Sequence, residues 1–459
     1  MSKARNIADL LDANGDVALS NLDNVPPSND ASALTTGTLP VARLADGSVT
    51  AAKLANSAKT VKSTTAPSSP ENGDLWYDTN INILKFYNGT LWTKVSAELA
   101  VLSSVTGTIY NSIARNLTLA GTGFLADNLV VTFTPNGGSA STVTVTPTSD
   151  TSATVAVPSA IYNTSSGTDV DITVTNSDNS TSSSVTKTIA SLPTGGTITT
   201  SGNYRAHAFN SSGTFTNTIA GLSADYFIVA GGGGGGGSEG GQDNTGGAGG
   251  GGGGGAADYT QTLSAQSYSV TVGAGGSGGG SGGFTGSDGG SSSFNGTTMT
   301  GGGAGGGSGA TDAANGRTGG SGGGAGGFDP GNWSGGSGTS GQGNSGAANS
   351  GAAGGGGGGK GSAGSGMNGG SSVTYTLANS GNEYYSGGGS SEPGGGGTPG
   401  TPGSNAGRGG ERGVSAPGNG ATNRGGGGGG GCDDNNVSIQ TGGNGGSGRV
   451  VIRYDVTTI

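Results

Sequence analysis

The sequence predicts a mainly β, elongated multidomain protein. In chain order it should hold a small β-hairpin module, an immunoglobulin-like sandwich, and a β platform carrying a bundle of polyglycine-II helices. Three observations predict this. Short β-prone runs separated by Gly/Asn/Pro turns fill residues 66–190. Of 108 glycines in 459 residues, 95 follow residue 200, many in unbroken runs such as Gly231–Gly237 and Gly425–Gly431. Apolar strand-like segments, Ala224–Ala230 and Arg449–Tyr454, bracket that glycine tract.

Composition bounds the function. Hydrophobic residues make up 30%, aromatics 5% and charged residues 10%, too few apolar groups for one globular enzyme of this length and too few charges for a solvated disordered chain. A net charge of −10 argues against nucleic-acid or anionic-membrane binding by bulk charge. The single cysteine, Cys432, permits no intrachain disulfide. No secretory signal is expected from the polar start Met1–Asn6, and no apolar stretch is long enough to span a membrane.

Residues 1–65 read as an attachment segment. Leu10, Leu11, Leu19, Leu22, Leu34, Leu39, Leu44 and Leu54 recur there without a local core, a pattern suited to docking on a partner or on other copies. Asp12-Ala13-Asn14-Gly15-Asp16 looks like half a calcium loop, but the downstream glutamate is absent and a plain turn is the simpler reading. Residues 66–98 form the small module. Asp74–Asp78 and Leu84–Tyr87 alternate like strands, and Asn88-Gly89 is a hairpin turn before Leu91–Val95. Trp76 and Trp92 read as its core rather than as a sugar site. In residues 99–192, strands are expected at Asn116–Ala120, Leu129–Phe133, Ser141–Val145, Ala153–Val157 and Val170–Thr175, as in a β-sandwich.

Residues 193–459 make the glycine-rich domain. The platform is assigned to 193–230 and 449–459, with Tyr204–Phe209 and Gly213–Thr216 expected to pair with Val450–Tyr454. His207, the only histidine, is assigned a structural or exposed role. The bundle is assigned to 231–448. Glycine has no side chain to pack and the largest backbone entropy to lose, so neither α-helix nor ordinary strand suits these runs. A flexible linker or a packed set of polyproline-II helices remains. Order is favoured by the clamping strands, by strand-like inserts at Tyr268–Val272 and Ser372–Leu377, and by charges that avoid the runs. Polyproline II makes no internal hydrogen bonds, so every buried N–H and C=O must pair with a neighbouring helix. Collagen is rejected because glycine does not keep a strict every-third-residue frame.

No catalytic constellation is present, and no catalytic, cofactor-binding or metal-ligating residue is expected. One histidine and one cysteine, far apart, do not make a zinc site or a Ser-His-Asp triad. Gly354–Gly359 with Lys360 imitates a phosphate loop, but Gly361 stands where Ser or Thr is needed. The inserts carry instead Tyr259, Phe284, Phe294, Phe328, Trp333, Tyr375, Tyr384 and Tyr385. Phe284 and Phe294 read as caps of helix ends. The denser clusters, Phe328, Asp329, Asn332 and Trp333 together with Tyr375, Asn382, Glu383, Tyr384 and Tyr385, are candidate recognition loops, since aromatic rings beside Asn and acids suit sugar or protein recognition.

Glu71–Thr79 with Leu84–Trp92 resembles a module of bacteriophage tail-fibre and virion appendage proteins. Gly37–Leu44 and Asp46–Leu54 look like phage fibre segments, and Leu119–Phe124 is similar to TIG-type immunoglobulin-like domains. Phe227–Ala230 running into glycines, closed by Gly448–Tyr454, resembles the glycine-rich domain of tail fibres. The resemblance implies a non-enzymatic virion protein, usually a homotrimer. Its N-terminus would attach to other tail proteins, and loops of its glycine bundle would bind a host-surface glycan or outer-membrane protein. A purely structural appendage, an ice-binding protein and a glycan depolymerase are the alternatives.

Overall fold

A computed structural model describes the chain from residue 60 onward, apart from residues 82, 96–98, 125–127, 178, 240–245, 310–313, 329–330, 378–382, 392–396 and 433–440. The chain is nearly all β and falls into two compact units, 1–98 and 99–459. Residues 1–59, with the leucines from Leu10 to Leu54 and the turn Asp12–Asp16, lie outside the described residues.

The first unit holds one sheet, in the order β1 (Thr60–Ser63), β2 (Leu75–Asp78), β3 (Ile83–Tyr87), β4 (Trp92–Lys94). The Asn88 side chain accepts the N–H groups of Thr90 and Leu91 and closes the β3–β4 turn, with Gly89 at φ 92°. Trp76 is buried and meets Trp92 edge-to-face at 5.5 Å. Lys85 lies over the Trp76 ring and pairs with Asp78 at 3.1 Å. The module begins before residue 66: β1 runs parallel to β2, and the Ser63 carbonyl accepts the Trp76 indole N–H at 3.1 Å.

In the second unit, residues 99–192 form a two-sheet sandwich. Its elements are β5 (Val101–Thr106), β6 (Asn116–Thr122), β7 (Leu129–Pro135), β8 (Ser141–Val145), β9 (Ser152–Ala156), the one-turn helix α1 (Ser159–Tyr162), β10 (Asp169–Thr175) and β11 (Val185–Thr188). One sheet has the order β5-β6-β9 and the other β11-β10-β7-β8. Alternate residues point inward: Leu117 and Leu119 face Leu129, Val131, Phe133, Val170, Ile172 and Val174 in one core. This division of strands is immunoglobulin-like.

The glycine-rich domain adds β12 (Thr197–Ser201), β13 (Tyr204–Phe209), β14 (Gly213–Thr216), β15 (Leu222–Val229), β16 (Ala256–Leu263), β17 (Ser267–Thr271), β18 (Ser292–Phe294), β19 (Thr297–Met299), β20 (Val373–Tyr375), β21 (Glu383–Tyr385) and β22 (Arg449–Asp455). A five-stranded sheet, β12-β13-β22-β15-β16, packs on a four-stranded one, β14-β17-β18-β19. β22 fits between β13 and β15, pairing Phe209 with Val450 on one side and Val229 with Arg449 on the other. Two expectations need correction. β14 pairs with β17, not β22. The platform also draws four strands, β16–β19, from inside the tract assigned to the bundle, where strand-like inserts are expected only at Tyr268–Val272 and Ser372–Leu377, because the apolar side chains there need a sheet core to bury them; β20 and β21, at the second insert, form a separate hairpin.

Between the strands, the glycine runs hydrogen-bond in a three-residue cycle. The N–H groups of Gly231, Gly234 and Gly237 reach the carbonyls of Gly290, Ser287 and Phe284; those of Gly232 and Gly235 reach Gly446 and Gly443; those of Gly233 and Gly236 reach Gly252 and Gly249. The carbonyls of the same run accept from three further runs: Gly276 and Gly279 on Gly232 and Gly235, Gly302 and Gly305 on Gly231 and Gly234, Gly428 and Gly431 on Gly233 and Gly236. One run thus touches six others, the arrangement that three residues per turn produces. A Cβ on Gly232, Gly233 or Gly234 would sit 2.0–2.2 Å from a neighbour's carbonyl oxygen, which is why these positions require glycine.

Candidate functional site at the far end of the glycine bundle

Hydrogen bonds fix the two ends of the bundle. At the platform end Ala230 N–H reaches Gly255 O and Ser386 Oγ–H reaches Gly254 O. At the opposite end Gly237, Gly327 and Gly431 bond to Phe284, Gly247 and Gly236. Seven residues of run 231–237 at roughly 3.1 Å each put about 20 Å between the ends.

The two candidate clusters fall at opposite ends. Phe328, Asn332 and Trp333 lie at the far end. Asn332 is exposed, and Phe328 and Trp333 are half-buried. The side chain of Asn349 fixes this turn: its Oδ1 accepts the Trp333 N–H at 2.7 Å, and its Nδ2 donates to the carbonyls of Gly331 at 2.8 Å and Gly351 at 2.9 Å. The indole lies against Gly331, where a Cβ would come within 2.3 Å of Trp333 Nε1. Two further apolar side chains stand in solvent at this end. Phe284 is 62% exposed and Val414 73%. The capping role assigned to Phe284 is therefore corrected: its ring lies beside Gly282 but leaves most of its surface in water. Phe294 is buried in the platform core instead. Asp329 lies outside the described residues.

Tyr375, Glu383 and Tyr385 belong to the β20–β21 hairpin at the platform end. Tyr385 is buried, and its ring centroid lies 4.7 Å from that of Phe227 in β15, with Tyr375 at 3.9 Å from the same ring. Glu383 accepts from Arg424 and Arg449 at 2.8 Å each and from the Tyr385 hydroxyl. Burial, then the neighbouring Asp258 carboxylate, pushes the Tyr375 phenol up to about 12. Burial, then the bond to Glu383, does the same for Tyr385. The expectation that these three form a display loop is corrected. Their side chains hold the hairpin on the sheet, because the apolar face of Phe227 and Val229 needs a cover. Tyr384 pairs with Thr374 in the ladder; its side chain, like Asn382, lies outside what is described.

His207 is structural. Its ring is buried between Phe215 and Tyr454. Among the described residues no group of three His, Cys, Asp or Glu is placed to hold a metal, and no helix is long and apolar enough to cross a membrane. Sequence reasoning missed Val414 and Asn349. An isolated Val in Arg412-Gly413-Val414 and an Asn in Ala348-Asn349-Ser350 carry no signal without the turn geometry.

These features define a class: a mainly β protein whose last domain is a glycine-helix bundle seated on a two-sheet platform. The model of the glycine-rich domain family matches residues 209–455, more than half of the chain. The chain belongs to that family. No curated protein matches it. Among solved structures, the chain is similar to the crystal structure of chicken CNTN1 FN1-FN3 domains, with 14% identity over 40% of this chain. The match spans 61% of that chain with a TM-score of 0.17, too low to establish a shared fold.

Proposed function

We propose that this chain is a tail-fibre or receptor-binding appendage protein of a tailed bacteriophage. On this reading it is a non-enzymatic homotrimer in the virion. The N-terminal segment attaches it to other tail proteins, the small module and sandwich act as a stalk, and the far end of the glycine bundle contacts a host-surface glycan or outer-membrane protein. The observation that carries the recognition role is the exposure of Phe284 and Val414 at the same end as Trp333. The framework behind them is hydrogen-bonded from run to run. Such apolar groups on a rigid scaffold give contact area at low entropy cost.

The test is binding of labelled full-length chain to a panel of bacterial cells that includes the host. A variant carrying Phe284→Ala and Trp333→Ala is run beside it. Strain-selective binding that the variant loses supports the reading. Absence of binding by folded protein favours a structural appendage, and release of sugar from bound cells favours a depolymerase.

A further inference from the structure

We propose that His207 is an acid-labile latch: protonation of its ring releases linker 193–196 from the platform and loosens the seat of the glycine-rich domain on the sandwich. This inference stands apart from the recognition reading.

The linker joins β11 of the sandwich to β12 of the platform. Two fastenings hold it. Thr194 exchanges both backbone hydrogen bonds with Thr216 of β14, each at 3.0 Å. The His207 ring, on β13, bonds the Gly195 carbonyl at 2.8 Å. A carbonyl only accepts, so Nδ1 carries the proton and Nε2 is the acceptor nitrogen of the neutral ring. The linker has no slack at this point. Gly195 sits at φ 112°, and a Cβ there would lie 2.1 Å from the Thr214 carbonyl.

The ring is fully buried, edge-on to Phe215 of β14 at 5.0 Å and stacked on Tyr454 of β22 at 5.8 Å. Its Nε2 has no hydrogen-bond partner, and neither does the buried Tyr454 hydroxyl. The charged group acting on it is Arg205, on the same strand. Tyr454 is in turn influenced by Tyr110, itself covered by Arg115, and Phe215 packs against Tyr268. A second proton on Nε2 would be a buried cation beside Arg205, facing aromatic carbon and no acceptor. The ring escapes that state by turning out to solvent, and the bond to Gly195 leaves with it.

The direction of the effect follows from linkage. Burial, opposed by the Gly195 bond, lowers the ring from 6.5 to about 4. The neutral form belongs to the folded state, so its stabilisation is complete above the ordinary value. It is lost as pH falls from there toward the folded value, by up to roughly 300-fold in the opening equilibrium.

Because His207 is the only histidine in the chain, NMR of histidine-labelled full-length protein reads its titration directly. Hydrogen exchange of peptides covering the linker, corrected for intrinsic rates, reads the latch from pH 7 down to about 3.5. The expected result is a ring titrating far below the ordinary histidine value, with linker protection falling about 10- to 100-fold over the same interval. In His207→Gln, which keeps a donor but cannot be charged, protection should change less than about threefold. A ring that titrates at the ordinary value, or equal losses in both proteins, overturns the proposal. If the variant does not fold, the wild-type chain decides: linker protection that falls between the ordinary histidine value and the ring's own midpoint and levels off below it supports the latch, and protection that stays constant across that interval overturns it.

Discussion

Alanine at Gly233 should be far more damaging than alanine at Gly280, although both are glycines of the same domain. A Cβ on Gly233 would lie 2.2 Å from the Gly303 carbonyl oxygen, so restoring even a 3.0 Å contact requires about 0.8 Å of movement. Gly233 has nowhere to move. Its N–H bonds Gly252 O at 2.8 Å, and its carbonyl accepts from Gly428 at 2.9 Å. Displacement toward either neighbour crowds one bond and stretches the other. Two buried backbone bonds weakened at about 1–3 kcal/mol each, less about 0.4–1 kcal/mol for the stiffer unfolded chain, leave a net loss of about 2–5 kcal/mol. At Gly280 a Cβ would meet only the Phe284 ring at 3.8 Å, so only the unfolded-state term acts and Gly280→Ala should be neutral or slightly stabilising. Hydrogen-exchange mass spectrometry on peptides covering 231–237 and 249–255 measures both variants in the same protein. Loss of protection spreading from residue 233 into 249–255 and 425–431 is the expected pattern. Equal, small effects at both positions would refute the claim that these runs are packed in contact. Alanine is not excluded from the bundle as such: Ala248, Ala304 and Ala325 are fully buried. The penalty belongs to the position.

Three further outcomes follow from the geometry. Trp76 is the one large apolar side chain buried among the described residues of the first unit, so Trp76→Ala should destabilise that sheet by about 3–5 kcal/mol and leave the melting of the glycine-rich domain unchanged by calorimetry. Glu383→Gln leaves Arg424 and Arg449, both largely buried, without their carboxylate. A loss of about 2–4 kcal/mol should appear in the thermal transition of the glycine-rich domain, with Tyr385 fluorescence reporting the local change. Tyr375 and Tyr385 should ionise near pH 12 rather than 10 in a spectrophotometric titration. Their neutral forms belong to the fold, so the stabilisation is present below pH 10 and is lost as pH rises toward 12; ionisation of all tyrosines at 10 would contradict the packed hairpin.

The β framework was largely legible because its residues carry a side-chain code. Apart from Asp225 and Arg453, which pair with each other at 3.1 Å, Ala224–Ala230 and Val450–Tyr454 are apolar throughout, close to the pattern of a strand buried on both faces, and both are central strands of the platform. Two sandwich strands escaped. In β5 the pairing with β6 shifts between Leu102 and Ser104, which breaks the alternation. β11 has only four residues, half-buried and exposed in turn. The glycine runs could be read as helices that must pair, but not as pairs. Gly231–Gly237 and Gly425–Gly431 are the same string of residues, and nothing in it names Gly252 or Gly443 as the partner. Tyr385 failed for a related reason. Its ring is defined by Phe227, and its neighbour Glu383 by Arg424 and Arg449, all far off in sequence.

The bundle separates what must stay fixed from what can change. Inside it, three successive residues of a run address three different neighbours, so a side chain added at one position disturbs several runs together. At the turns, the exposed side chains lie outside that network. Phe284 and Val414 leave most of their surface in water and therefore contribute little to burial, and their replacement should move stability by no more than about 0.5 kcal/mol. Trp333 differs in degree: it is half-buried, but its turn is held through backbone atoms by Asn349, and those bonds survive truncation of the indole. Substitutions at this end can consequently be judged by what they do to binding, whereas substitutions at Gly233 cannot. A change in cell binding caused by Phe284→Ala in a protein with an unaltered melting transition would locate recognition at the far end without any appeal to the fold. Unchanged binding in the same variant would send the search to the remaining turns of that end, beginning with Val414.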